Sequence, residues 1–162
     1  MANPYLGAVN RRLQYARLLL AEQERAAQKM VREALAESAL YQIQSAYRYH
    51  LQALAENYQC QGVADIVDAQ TLRDTLAVTG KTPGEAQEML DLEAAPRNWL
   101  ARMLAAHRSL SQVEEPVTPS DNRLIASHQL REERDFTAAD LLEWTAALSE
   151  MVERHRDLMY EC

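Results

Sequence analysis

Apolar positions along this chain recur at intervals of three and four, the period of an α-helix. The pattern is strongest over Lys29–Cys60, where Leu40, Ile43, Tyr47, Leu51, Leu54 and Tyr58 fall in one narrow stripe. Leu35, Ala39, Ala46 and Ala53 widen the stripe on one flank. A helix apolar over so wide an arc touches several neighbours, which places it at the centre of a bundle.

The rest of the chain supplies the covering helices. Asn3 followed by Pro4 reads as a cap and a first helical residue, and Tyr5, Leu6, Val9, Leu13, Ala16 and Leu20 then share a face. No Gly or Pro occurs between Gly7 and Gly62. One helix over that span would be about 80 Å long, too long for a domain of this size, so a break is predicted near Glu22–Lys29. Gly62 is expected to close the central helix, and Val63–Val78 reads as one or two short helical segments ending at Thr79-Gly80. Thr82-Pro83-Gly84-Glu85 has the form of a cap, a first-turn proline and a capping-box glutamate. Pro96 is expected to open a helix through Trp99, Leu100, Met103, Leu104, His107 and Leu110. Val113–Asp121 lacks periodicity and reads as a loop, and 122–135 as an extended strap anchored by Leu124, Ile125 and Leu130. Phe136, Thr137, Asp140 and Leu141 form a staple and cap for a last helix to about Met159, with Trp144, Leu148, Met151, Val152, His155, Leu158 and Met159 inward. The fold predicted is all-α: an antiparallel bundle of four main helices, with one or two short helices inserted, as a single domain over 1–162.

Composition agrees. The 162 residues include four Gly and five Pro, with 48% hydrophobic and 25% charged residues. A chain of this length buries roughly 70% of its unfolded surface, enough for a core without staples. The net charge of −7 is uneven: residues 1–58 carry seven Arg/Lys against five Asp/Glu, the remainder ten against nineteen. An acidic chain without a dense basic run is a poor nucleic-acid binder. Two cysteines, Cys60 and Cys162, cannot build a disulfide framework. No secretory pattern or membrane-length apolar run is present, so a cytoplasmic protein is expected.

Candidate chemistry is sparse. His50, His107 and His155 sit on the apolar faces of three different helices, and convergence would offer three imidazoles to a transition metal. The bland alternative is that each is a core histidine bonded to a Tyr hydroxyl or a backbone carbonyl. A di-iron bundle is excluded by pattern, because Tyr47, Leu104, Ile125 and Val152 stand where Glu-x-x-His would need glutamate. Thr79–Gly84 lacks the first glycine and preceding strand of a phosphate loop. Arg102 and His107 form an Arg-x4-His element that resembles the nuclease motif of the HEPN helical ribonucleases. There the two residues act on the RNA backbone. Met103 follows the arginine where that family usually has a polar residue, and a helix turns the two side chains about 140° apart.

Two longer stretches, SALYQIQSAYRYHLQALAENY over Ser38–Tyr58 and APRNWLARMLAAH over Ala95–His107, carry a broader likeness. Together they resemble a family of small bacterial, pseudomonad-type proteins known as a domain of unknown function. The resemblance covers nearly the whole chain, with a variable Pro/Glu-rich loop at Val113–Asp121 and a late Trp at Trp144. It implies a helical bundle and assigns no activity, cofactor or catalytic residue.

The sequence thus reads as a non-enzymatic interaction or accessory module. It would bind a protein partner or itself, with Tyr41 and Tyr49 lying off the central stripe as interface candidates. The alternatives are a ribonuclease using Arg102 and His107, or a small-molecule or metal binder using the core His and Tyr residues. No cofactor is called for.

Overall fold

The computed structural model describes residues 3–112 and 136–161. Its elements are α1 (Pro4–Arg25), α2 (Lys29–Asn57), a 3-10 turn (Val63–Asp65), α3 (Ala69–Val78), α4 (Gly84–Ala94), α5 (Trp99–Leu110) and α6 (Ala138–Glu161). The described residues hold no strand, as an all-α bundle requires.

The Asn3 side chain accepts from the Tyr5 amide and starts α1. Its amide group also donates to the Ala53 carbonyl at 2.7 Å, pinning the start of α1 to α2. The predicted break falls at Ala26–Gln28, and Arg32 closes that corner by donating to the Ala26 and Ala27 carbonyls. Hydrogen bonds Arg17–Ser149 and Asn10–Arg156 join α1 to α6 with numbering running in opposite senses. The two helices are therefore antiparallel. The short corner makes α1 antiparallel to α2 as well, so α2 and α6 run the same way on either side of α1's inner stripe.

The core is the stripe predicted for α2, with Leu40, Ile43, Tyr47, Leu51 and Leu54 buried. Val9, Leu13, Ala16 and Leu20 cover it from α1, and Leu141, Trp144, Leu148, Met151 and Val152 from α6. Small residues Ala36, Ala39, Ala46 and Ala53 let these helices approach closely. Leu158, expected inward, is 44% exposed.

Several boundaries differ from the sequence expectation, each for a local reason. α2 ends at Asn57, short of Cys60, because Gln59 takes a left-handed φ of 56°. The Cys60 amide then donates to the Ala55 carbonyl and the Gln59 amide to the Glu56 carbonyl, a Schellman closure made without the expected Gly62. Gly80, at φ +72°, closes α3 in the same way. Pro83 is the N-cap of α4 rather than its first residue, so Thr82 makes no capping bond. Pro96 lies in a turn, and α5 starts at Trp99 after an Asn98–Ala95 backbone bond. The cap of α6 is as read: Thr137 Oγ1 accepts from the Asp140 amide while the Asp140 carboxylate accepts from the Thr137 amide. Phe136 is buried, 6.3 Å from the Trp144 ring. The expected loop at 113–121 and strap at 122–135 lie outside the described residues.

Candidate functional site

Two of the three inward histidines meet and the third stands apart. His50 on α2 and His155 on α6 are fully buried and stacked, with ring centroids 5.1 Å apart. His50 Nε2 lies 2.9 Å from His155 Nδ1. The other nitrogen of His155 is 2.9 Å from Glu88 Oε2 on α4, and Arg154 grips both Glu88 oxygens at 2.8 and 2.9 Å. A single chain of bonds therefore runs inward from the surface: Arg154, Glu88, His155, His50.

Chemistry fixes the direction of that chain. The Arg154 bonds, foremost, hold the Glu88 carboxyl down at about 2, so it is a carboxylate that only accepts. His155 must donate from Nε2. His155 Nδ1 and His50 Nε2 share the inner bond, and His50 Nδ1 has no partner. Burial, reinforced by His155 and by the Arg156 cation, lowers the His50 pKa to about 3, with Glu88 opposing. His50 is thus a neutral imidazole. Both nitrogens of His155 are engaged, and the one uncommitted nitrogen, His50 Nδ1, is buried with both rings closed to solvent.

His107 is half-buried, its ring edge-on to Tyr41 at 4.8 Å, and burial lowers its pKa. Among the described residues no group of three His, Cys, Asp or Glu side chains is placed to hold a metal ion. Arg102 turns away from the core toward α6, where it pairs with Asp140 and lies over the Trp144 ring at 5.7 Å. The Arg102 and His107 side chains thus have different partners on different helices. Tyr41 is 43% exposed, whereas Tyr49 packs against Tyr5 and beneath Arg12.

A second buried polar knot lies between α2, α3 and α4. Tyr47 donates to Glu93 Oε1 at 2.7 Å, and the Ala69 amide donates to the same oxygen at 3.1 Å. Burial, then the adjacent Glu93 charge, pushes the Tyr47 phenol well above its ordinary pKa. Glu88, Glu93 and Arg154 were not among the residues singled out from sequence. They sit on exposed or half-exposed helix positions, and only their partners' burial gives them a role.

Two clefts open along the seam of α1 and α6. At the α1–α2 corner, Leu20, Ala21, Ala138 and Leu142 floor a cleft of about 520 Å³, with Arg17, Glu24 and Arg32 at its edge. Leu142 is 59% exposed there. Further along, Asn10, Gln14, Arg17, Ser149, Glu153 and Arg156 line a polar cleft of about 350 Å³.

A family model described as a family of unknown function, DUF6586, matches residues 1–162. The chain belongs to the DUF6586 family. That agrees with the likeness read from Ser38–Tyr58 and Ala95–His107, and DUF6586 membership assigns no residue a role. No curated protein and no solved structure matches the chain. Among the described residues no helix is long and apolar enough to cross a membrane.

Proposed function

We propose that the protein is a non-enzymatic interaction module, whose recognition surface is the apolar cleft at the α1–α2 corner. The observation that carries this reading is an apolar floor open to solvent between two guanidiniums. Leu142 is 59% exposed and lines the cleft with Leu20, Ala21 and Ala138. Arg17 donates to Ser149 and Arg32 to the backbone, so both cations are held by neutral oxygens. Among the described residues lining the cleft, Arg17 and Arg32 thus stand against one carboxylate, Glu24. The fitting occupant is a short segment of a partner protein that presents apolar side chains flanked by carboxylates. A bacterial, cytoplasmic setting goes with this reading: Cys60 is a buried free thiol, as a reducing compartment favours.

Selection from a random displayed-peptide library tests the reading. Enriched peptides should share an apolar pair with flanking Asp or Glu, and should be lost against Leu142→Ser and Ala21→Glu proteins. Enrichment that survives both substitutions, or that lacks the acidic-apolar pattern, sinks it. Light scattering at micromolar concentration gives the competing outcome, a second copy as the occupant.

A further inference from the structure

We propose that the polar cleft between α1 and α6 is a binding site for a small organic anion, held through its carboxylate or phosphate oxygens by Arg17 and Arg156. This site is distinct from the apolar cleft at the corner, although Arg17 borders both.

Arg17 and Arg156 bring two guanidiniums to the cleft. Each carries five N–H donors in a planar fork suited to an oxyanion. Among the described residues Arg17 has one acceptor, Ser149 Oγ at 2.7 Å, and Arg156 has one, Asn10 Oδ1 at 3.0 Å. Both acceptors are neutral, and neither arginine has an ion-pair partner among the described residues. Arg156 Nε is closed to solvent and has no hydrogen-bond partner, so a ligand would meet the other N–H groups of that guanidinium. An oxyanion seated in the cleft would supply the counter-charge that the two neutral acceptors do not.

The two arginines point across the seam from opposite helices, Arg17 toward α6 and Arg156 toward α1, one near each end of the cleft. Asn10 and Gln14 add amide donors between them, while the Ser149 hydroxyl already donates to the Thr145 carbonyl. Glu153 lies on the lining and is exposed. Its negative charge opposes any anion, and a polyanion such as a nucleic-acid backbone most of all. The volume of about 350 Å³ suits a small organic anion. Filling the site would also tie α1 to α6, the helix that carries His155.

The test is titration of the full chain with inorganic phosphate and, separately, with succinate, against sodium chloride of matched ionic strength. Binding is read from the arginine Nε–Hε resonances. We expect saturable shifts of the Arg17 and Arg156 signals with at least one probe, and which probe succeeds tells a phosphate-bearing ligand from a carboxylate. Arg17→Gln and Arg156→Gln should each weaken binding about tenfold. Arg156→Lys, which keeps the charge and loses the fork, should weaken it by about fivefold and guards against a Gln variant that folds poorly. No saturable shift beyond the chloride control with either probe overturns the proposal. So does affinity that is unchanged in Arg17→Gln and Arg156→Lys.

Discussion

His50 Nε2 and His155 Nδ1 lie 2.9 Å apart across the seam of α2 and α6, a hydrogen bond between two imidazoles closed to solvent. Glu88, as an arginine-bound carboxylate, obliges His155 to donate from its far nitrogen. The pair needs no metal and no catalytic role to account for it. It is a polar rivet in an apolar core, and its cost appears when protons are plentiful.

Acid should therefore weaken the fold earlier than carboxylate titration alone would. In the unfolded chain His50 takes a proton near its ordinary value of 6.5; in the fold it resists down to about 3. The unfolded state binds more protons throughout that window, so stability falls as pH drops from 6.5 toward 3, by at most about 1.4 kcal/mol per pH unit. Glu88, lowered from 4.5 to about 2, adds a loss in the same direction between those values. Urea unfolding at a series of pH values should show this slope in the wild type and a flatter one above pH 4.5 in His50→Leu. Equal slopes would mean that His50 is already charged in the fold.

Removing the carboxylate should hurt more than removing its surface partner. Glu88→Leu leaves a buried His155 N–H without an acceptor and should cost about 1–3 kcal/mol. Arg154 is more than half exposed, so Arg154→Ala should cost about 1 kcal/mol or less. Denaturant midpoints would expose the reverse order if the Arg154 pairing, rather than the histidine, were what matters.

Tyr47 should behave as a tyrosine that cannot ionise while folded. Its pKa is raised in the fold, so its contribution is intact below the ordinary value of 10.0 and is lost only as pH rises beyond that. Ultraviolet titration of the folded chain should find one more silent tyrosine in the wild type than in Tyr47→Phe. Equal numbers of silent tyrosines in the two proteins would contradict this.

Gln59 offers a test in the stabilising direction. A residue with a β-carbon at φ 56° carries strain that glycine lacks, so Gln59→Gly should raise stability by about 0.5–1 kcal/mol. A lower melting temperature would contradict the reading of this turn.

Much of the fold was written in the chain, and much of the site was not. The period of the α2 stripe and the Thr137–Asp140 cap are local signals, and both elements stand where those signals put them. Even the α1–α2 corner followed from a length argument. Pro83 and Pro96 misled by a few residues, because proline fixes φ without saying whether the helix starts at it or after it. The three histidines shared an apolar setting, yet facing a core does not say which neighbour is met. His107 meets Tyr41 while His50 and His155 meet each other. Glu88 reaches His155 from 67 positions away, a relation that no spacing rule encodes.

The central claim is that recognition resides in the open apolar cleft and not in the buried histidines. Calorimetric titration of one library-selected peptide against wild type, Leu142→Ser and His50→Leu decides it. The account predicts at least tenfold weaker binding for Leu142→Ser, with stability within about 0.5 kcal/mol of wild type, as for an exposed position. It predicts unchanged affinity for folded His50→Leu. Full affinity in Leu142→Ser, or its loss in His50→Leu alone, would contradict the claim.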